Sequence, residues 1–160
     1  MKKSEYPRPT VTVDIIILTE NDRVLLIKRK NEPFKDHWAI PGGYLNVSET
    51  WGEGETLEEA AYRELQEETS LSKDELEDAL LCQFKTFSDS KRDPRSRTLS
   101  VVFFAILPES EKLLGSVKAA EWFSIHELPS IMAFDHLQIL KEYQIFYSQY
   151  KKAYWVGIPH

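Results

Sequence analysis

The segment from Thr56 to Ser70 puts acidic and apolar residues on the same side of one helix, and few folds can tolerate that. Leu57, Ala60, Ala61 and Leu65 recur at the i, i+3, i+4 and i+8 spacing of a buried stripe. At about 100° per residue, with Glu64 as origin, Leu57 lies at about 20°, Glu68 at about 40° and Ala61 at about 60°. Glu67 lies beside Glu64 and Glu68, so all three carboxylates are expected to point towards the body of the protein. Glu58, Glu59 and Gln66 fall nearer the opposite side and read as solvated surface. Thr56 followed three residues later by Glu59 forms a capping-box pattern, which predicts a helix from Thr56 to about Ser70.

Such crowding has two explanations, a solvated acidic face or a cation. Like charges one turn apart repel by a few tenths of a kcal/mol even when exposed. Unpaired buried carboxylates cost several kcal/mol each. A hard divalent cation removes that cost, and Mg2+ characteristically takes one or two carboxylates together with phosphate oxygens and waters. The wheel position therefore favours the cation.

Glu55, seven residues, then Arg63-Glu64-Leu65, one residue, then Glu67-Glu68 resembles the Nudix box, and His37-Trp38-Ala39-Ile40-Pro41-Gly42-Gly43 resembles its usual lead-in. The chain departs from the family pattern twice. Eleven residues separate Gly43 from Glu55 where the pattern has five, and Ser70 stands where the pattern has glycine. A left-handed backbone at Ser70 would cost about 1 kcal/mol in local strain. The segment Leu45 to Gly54 that holds the insertion is expected to be a solvated loop, with substrate contact through Trp51 as the alternative.

The rest of the chain narrows the class. One domain spanning residues 1–160 is expected from a length of 160 residues with 42% hydrophobic content. No apolar run approaches the ~18 residues needed to span a bilayer. Met1-Lys2-Lys3 leads into Ser4-Glu5-Tyr6-Pro7 rather than an apolar stretch. The single Cys82, read as a core residue, favours a reducing compartment. A cytoplasmic protein without membrane contact is expected. A net charge of −6 argues against nucleic acid as a general partner. Against that acidic background, Lys91, Arg92, Arg95 and Arg97 fall within seven residues and suit a small phosphorylated ligand.

Two β-branched runs, Val11 to Leu18 and Arg23 to Lys30, read as a hairpin turning at Glu20-Asn21-Asp22. Trp38 to Tyr44 reads as a short extended piece, and Ser72-Lys73-Asp74 as a turn or short helix. Leu80 to Phe87 and Thr98 to Leu107 read as strands joined by the basic loop, Ala119 to Ile125 as another strand, and Phe134 to about Tyr150 as a closing helix. Lys151 to His160 has no clear period. Together these predict an α+β fold with a mixed sheet and flanking helices, in agreement with the α/β/α sandwich that the Nudix resemblance implies.

The resemblance extends from about Val11 to Leu140. Arg92-Asp93-Pro94-Arg95 with Arg97-Thr98-Leu99-Ser100-Val101, then Ala120-Glu121-Trp122-Phe123 and Ala133-Phe134-Asp135-His136, are similar to segments of ADP-ribose pyrophosphatase-type Nudix domains and of ADP-ribose-sensing regulators. Those regulators carry a further DNA-binding domain, for which the residues after Leu140 are expected to leave no room. The resemblance implies hydrolysis of a nucleoside diphosphate derivative, with ADP-ribose giving AMP and ribose 5-phosphate. It also implies a homodimer, because such pyrophosphatases often pair.

For the site, Glu64, Glu67 and Glu68 are the expected ligands of Mg2+, with Mn2+ able to replace it, and the resemblance adds the Gly43 carbonyl. Arg63 and Glu55 are expected to form the ion pair that holds the box. The general base is left open between Glu68 and a metal-activated water. Asp89 and Asp93 are the only carboxylates in the Ser88–Arg97 loop, where some family members carry a glutamate base. Arg92, Arg95 and Arg97 suit a clamp on phosphate or ribose, the alternative being a solvated loop. Tyr44 and Phe87, with Trp51, can stack on a base, the alternative being core or incidental surface. His136 titrates in the useful range, but a lone helical histidine reads as structural.

Overall fold

A strand apolar on both faces must lie inside a sheet that is covered twice. From Val13 to Leu18 the first run is such a strand, interrupted only by Asp14. The computed structural model describes residues 7–71, 74–76, 80–116 and 120–155. In it this strand, β1 (Thr10–Thr19), pairs in parallel with β6 (Thr98–Leu107) over its whole length, from Thr10 opposite Thr98 to Thr19 opposite Leu107. β1 also pairs antiparallel with β2 (Arg23–Lys28) through the expected hairpin, and β6 pairs antiparallel with β5 (Cys82–Phe87) across the basic loop. The expected extended piece splits at Pro41 into β3 (Trp38–Ala39), which pairs with β2, and β4 (Gly42–Tyr44), which pairs with β1. β7 (Ala120–Ser124) pairs with β2 on that edge. Among the described residues this makes one mixed sheet of seven strands, ordered β3-β2-β1-β6-β5.

Alternation along β1 sends Val13, Ile15 and Ile17 to one face and Ile16 and Leu18 to the other. The first face packs on helix α1 (Leu57–Thr69) through Ala60, Ala61 and Leu65. The second packs on helix α3 (His136–Trp155) through Ile139, Leu140 and Tyr143. The expected sandwich of helix, mixed sheet and helix is therefore the observed fold. A short helix, α2 (Glu111–Ser116), has no counterpart in the sequence reading, and its Leu113 closes one end of the first core. Asp74–Leu76 forms a 3₁₀ turn where a turn or short helix was expected, while Ser72, Lys73, Ala119 and residues 156–160 lie outside the described residues. Cys82 is half-buried and packs against the second core.

Both ends of α1 follow from local chemistry. Thr56 Oγ1 accepts the Glu59 amide at 3.2 Å and the Glu59 carboxylate accepts the Thr56 amide at 2.7 Å, completing the capping box. At the far end Ser70 takes φ 64°, ψ 11°, with its amide on the Gln66 carbonyl at 3.1 Å. That is the left-handed position glycine fills without strain, and Ser70 is exposed. The inserted loop turns out to be an exposed hairpin: Val47 bridges Gly54, and Trp51 at its tip is fully exposed.

Replacing Ser70 by glycine is expected to raise stability by about 1 kcal/mol, or roughly 2–4 °C in Tm for a domain of this size. A thermal scan of S70G that showed no rise, or a fall, would reject strain at this cap.

Candidate active site

The acidic helix meets the sheet at the paired glycines. Gly42 and Gly43 lie opposite Asp14 and Val13 on β1. A Cβ on Gly42 would sit 2.2 Å from the Val13 carbonyl oxygen, and one on Gly43 would sit 2.3 Å from Glu64 Oε1. A side chain at Gly42 would collide with backbone and one at Gly43 would displace the Glu64 carboxylate, so the two glycines let α1 press its carboxylates against bare backbone. The Gly42 amide donates to Glu68 Oε2 at 2.9 Å. Glu64 is buried and Glu68 half-buried, as the wheel predicts, but Glu67 departs from it with a side chain 60% exposed. On the wheel it lies about 60° from Glu64, at the edge of the apolar stripe beside Ala60 and about 100° from Glu68, and its longer side chain reaches the rim.

Arg63 brackets this wall. Its Nε and Nη2 fork onto Glu55 at 2.9 and 2.6 Å, Nη2 also donates to the Tyr44 carbonyl at 2.9 Å, and Nη1 reaches Glu64 Oε1 at 2.7 Å. Glu67 Oε2 lies 3.6 Å from the same Nη1. Four of the five N–H donors of this guanidinium are engaged by protein acceptors. It ties the start of α1, the β4 strand and the acidic wall together. The hydrogen bonds from Arg63 hold Glu55 down to about 2. Burial pushes Glu64 up, against the opposing pull of Arg63. Burial pushes Glu68 up to about 7, with the neighbouring negative charges of Glu64 and Asp14 adding to it, while the Gly42 amide and Arg29 pull the other way.

The wall faces a cleft of about 400 Å³. On its other side Arg95 is bound twice by Asp93, at 3.0 and 2.8 Å, and its guanidinium lies 5.4 Å from the Tyr44 ring and 5.3 Å from the Phe134 ring. Arg29 lies over Phe134 at 4.8 Å, and burial together with the nearby Arg95 charge lowers its pKa. Tyr44, Arg95, Phe134 and Arg29 thus alternate ring and cation along the lining of the cleft that also holds the carboxylates.

Several expected site residues sit elsewhere. Phe87 is 7% exposed and packs in the second core, at the end of β5 where alternation turns it inward. Arg97 is exposed, does not line the cleft, and donates to the Ser88 carbonyl at 2.8 Å, closing the base of its loop. Arg92 borders the cleft but is buried, and its Nε and Nη2 fork onto Asp135 at 3.0 and 2.8 Å. It is a structural cation rather than a free clamp. Trp51 lies on the exposed hairpin and does not line the cleft. Among the described residues no three carboxylate, imidazole or thiol side chains converge on one point, because Glu67 turns to the rim. The donors that remain, Glu64 and Glu68 with Gly43 beside them, are oxygen atoms only. Both carboxylates have pKa values raised by burial, which suits a hard divalent cation.

Sequence reasoning missed Arg29, Phe134 and Asp14 as cleft residues and took His136 for structural. Asp14 carried a signal that went unused, an acid placed mid-strand among Val13, Ile15 and Ile16. Buried acids of that kind need partners.

The raised pKa of Glu68 has a stability consequence. With a folded value of about 7 against an ordinary 4.5, the metal-free protein binds this proton more tightly folded than unfolded. The contribution is present below about pH 4.5 and is lost as pH rises through about 7, to an extent on the order of 2–3 kcal/mol. Glu68→Gln is therefore expected to melt several degrees above the unsubstituted protein at pH 8 without metal, with little difference at pH 4.5. Equal melting temperatures at pH 8 would reject a strained Glu68 carboxylate.

The NUDIX domain model matches residues 8–143. The chain is 42% identical over 139 residues to an ADP-ribose pyrophosphatase of Methanocaldococcus jannaschii, covering 86% of this chain and 75% of the relative. It is 30% identical over 164 residues to an ADPR responsive transcriptional repressor NtrR of Acinetobacter baylyi, covering 99% of this chain but 61% of the repressor. Among solved structures, the NUDIX domain of Shewanella oneidensis NrtR complexed with ADP ribose superposes with a TM-score of 0.69 at 27% identity, covering 89% of this chain and 92% of that one. Shewanella oneidensis NrtR has also been solved in complex with a 27mer DNA, at a TM-score of 0.68 and 29% identity over 87% of this chain and 62% of that one. The family match takes in all seven strands and the acidic helix, so the chain belongs to the Nudix family and is a Nudix hydrolase.

Proposed function

We propose that this protein hydrolyses ADP-ribose to AMP and ribose 5-phosphate with Mg2+, or Mn2+ in its place. The observation that carries the reading is that one cleft is lined by the buried Glu64 and half-buried Glu68 carboxylates and by two guanidiniums, Arg29 and Arg95. A diphosphate is a ligand that needs both. Its oxygens complete the ligand set of a hard cation on one side and accept hydrogen bonds from planar guanidiniums on the other. The 42% identity to an ADP-ribose pyrophosphatase supports ADP-ribose as the diphosphate.

In this reading Glu64 and Glu68 hold the cation, with Gly43 beside them and Glu67 swinging in from the rim. The cation, when bound, neutralises charge on the pyrophosphate oxygens and lowers the pKa of a water. In this reading Glu68 also accepts a proton from the attacking water. Arg63 and Glu55 hold the wall without touching the reacting atoms. Arg95 orients the diphosphate, and Tyr44 and Phe134 offer faces to a base. The partner is a small nucleotide, and a homodimer without nucleic acid or membrane contact is the expected working form. No helix among the described residues is long and apolar enough to cross a membrane.

A second reading is a module that binds ADP-ribose without cleaving it. It is favoured by the 30% identity to an ADPR-responsive repressor, and by Arg63 standing where a cation would meet Glu64. Incubation with ADP-ribose and Mg2+, followed by chromatography, separates the two. AMP release is expected, and tight binding without AMP would reject the enzyme. Other nucleotide sugars or an oxidised nucleotide serve as competing substrates in the same assay.

Glu68→Gln is expected to lower turnover by roughly 10²–10⁴-fold, the span typical of a lost acid–base group. Unchanged turnover would remove Glu68 from the chemistry. Arg95→Ala is expected to raise KM about ten-fold with a smaller effect on kcat, since it removes a contact made in ground and transition states alike. An unaltered KM would mean that Asp93 holds Arg95 away from the ligand.

A further inference from the structure

One buried train of polar groups runs from the sheet to the glycine segment and takes no part in the chemistry above. Ser100 on β6 donates its hydroxyl to Asp14 Oδ2 on β1. Asp14 Oδ1 lies 3.6 Å from His136 Nε2 at the start of α3, and His136 Nδ1 accepts the Ile40 amide at 3.0 Å. Ser100, Asp14 and His136 are all buried. An Nδ1 that accepts carries no proton, so the neutral ring holds its proton on Nε2, the side that faces Asp14. At 3.6 Å the aspartate favours this tautomer through its charge rather than through a hydrogen bond. Arg92, forked onto the adjacent Asp135 and 3.7 Å from Asp14, pins the same end of α3.

Ile40 matters because of its place just ahead of the glycines. Pro41 has no amide hydrogen, so the Ile40 amide is the last backbone donor before that of Gly42. The Gly42 amide is the group that holds Glu68, and Gly43 is the floor beneath Glu64. The Pro41 carbonyl accepts from Ile15 at 2.8 Å, which leaves the Ile40 bond to set the entry to the turn.

We propose that His136, oriented by Asp14, is the positioning residue for the Ile40–Gly43 segment, and through the Gly42 amide for Glu68 and the cation it holds. The last step rests on the reading of Glu68 as a metal ligand, whereas the effect on Gly42 does not.

Two substitutions separate this role from plain core filling. His136→Asn keeps an acceptor near the place of Nδ1, and His136→Gln reaches towards Asp14 but gives up the acceptor for Ile40. Amide exchange at Gly42, followed by NMR in the metal-free protein, and calorimetric titration with Mn2+ alone report the two steps. The Asn protein is expected to keep Gly42 protected and to bind Mn2+ within about three-fold of the unsubstituted chain. The Gln protein is expected to lose Gly42 protection and to bind Mn2+ about 10–100-fold more weakly, the usual effect of losing a group that orients a ligand. Equal behaviour of two folded variants would overturn the proposal. So would a Gln protein with Gly42 and Mn2+ affinity intact. If thermal unfolding shows that either variant is not folded, Ser100→Ala tests the same train from its far end. Faster Gly42 exchange with several-fold weaker Mn2+ binding is expected there, and no change in either would overturn the proposal. Failure of the unsubstituted protein to bind Mn2+ would strike the cation reading alone, with Gly42 exchange still deciding the role of His136.

Discussion

The contact between the acidic face of α1 and the bare backbone of Gly42-Gly43 is the constraint on which the rest depends. With no Cβ at either glycine, Glu68 accepts the Gly42 amide of β4 and Glu64 packs against Gly43, and β4 pairs with the central strand β1. The helix supplies the carboxylates, the glycines supply the clearance, and the sheet supplies the rigidity. Removing any one would let the carboxylates drift into solvent, where their mutual repulsion is screened and their affinity for a cation falls. Arg63 adds the remaining link, because its fork on Glu55 ties the residue just before α1 to the wall that α1 presents.

The sequence made much of this legible because the relevant signals were local. Capping at Thr56, the stripe through Leu57 and Leu65, and the left-handed stop at Ser70 all depend on neighbours a few residues away. The strands β1 and β6 were readable from unbroken apolar runs, since strands buried on both faces need nothing else. What escaped were contacts between distant segments. Phe87 reads as an available ring until alternation along β5 turns it inward, and Arg92 reads as a free cation until the fold brings Asp135, 43 positions later, onto it. The loop as a whole reads as a basic patch, yet its three arginines end in three different environments. One is buried in an ion pair, one lies in the cleft against two rings, and one closes the loop. Charge counted along a chain does not distinguish these.

Asp14 illustrates the same limit from the other side. Placed on the α3 face of β1, it occupies a position that an apolar residue would otherwise fill, and it survives there because Ser100, His136 and Arg92 converge on it from three separate segments. An isolated buried carboxylate costs several kcal/mol, and a satisfied network recovers most of that cost without adding much stability. Such a network is more readily explained by what it holds in place than by any stabilisation it brings. What it holds here is the entry to the glycine segment.

The cost of the acidic wall bears on the choice between hydrolase and sensor. A Glu68 whose pKa burial raises to about 7 lowers the stability of the metal-free protein as pH rises towards neutrality and above. Sites that destabilise the fold persist where activity requires them. A module that only recognised ADP-ribose could meet the diphosphate with Arg29, Arg95 and the rings beside them in the cleft. Replacing Glu68 by glutamine would cost it nothing and would make it more stable. A chain that keeps Glu64, Glu67 and Glu68, and builds a glycine floor to hold two of them inward, carries a burden that binding alone does not explain. In the proposed function a divalent cation and a diphosphate sharing the cleft would relieve that strain, and hydrolysis needs the same arrangement.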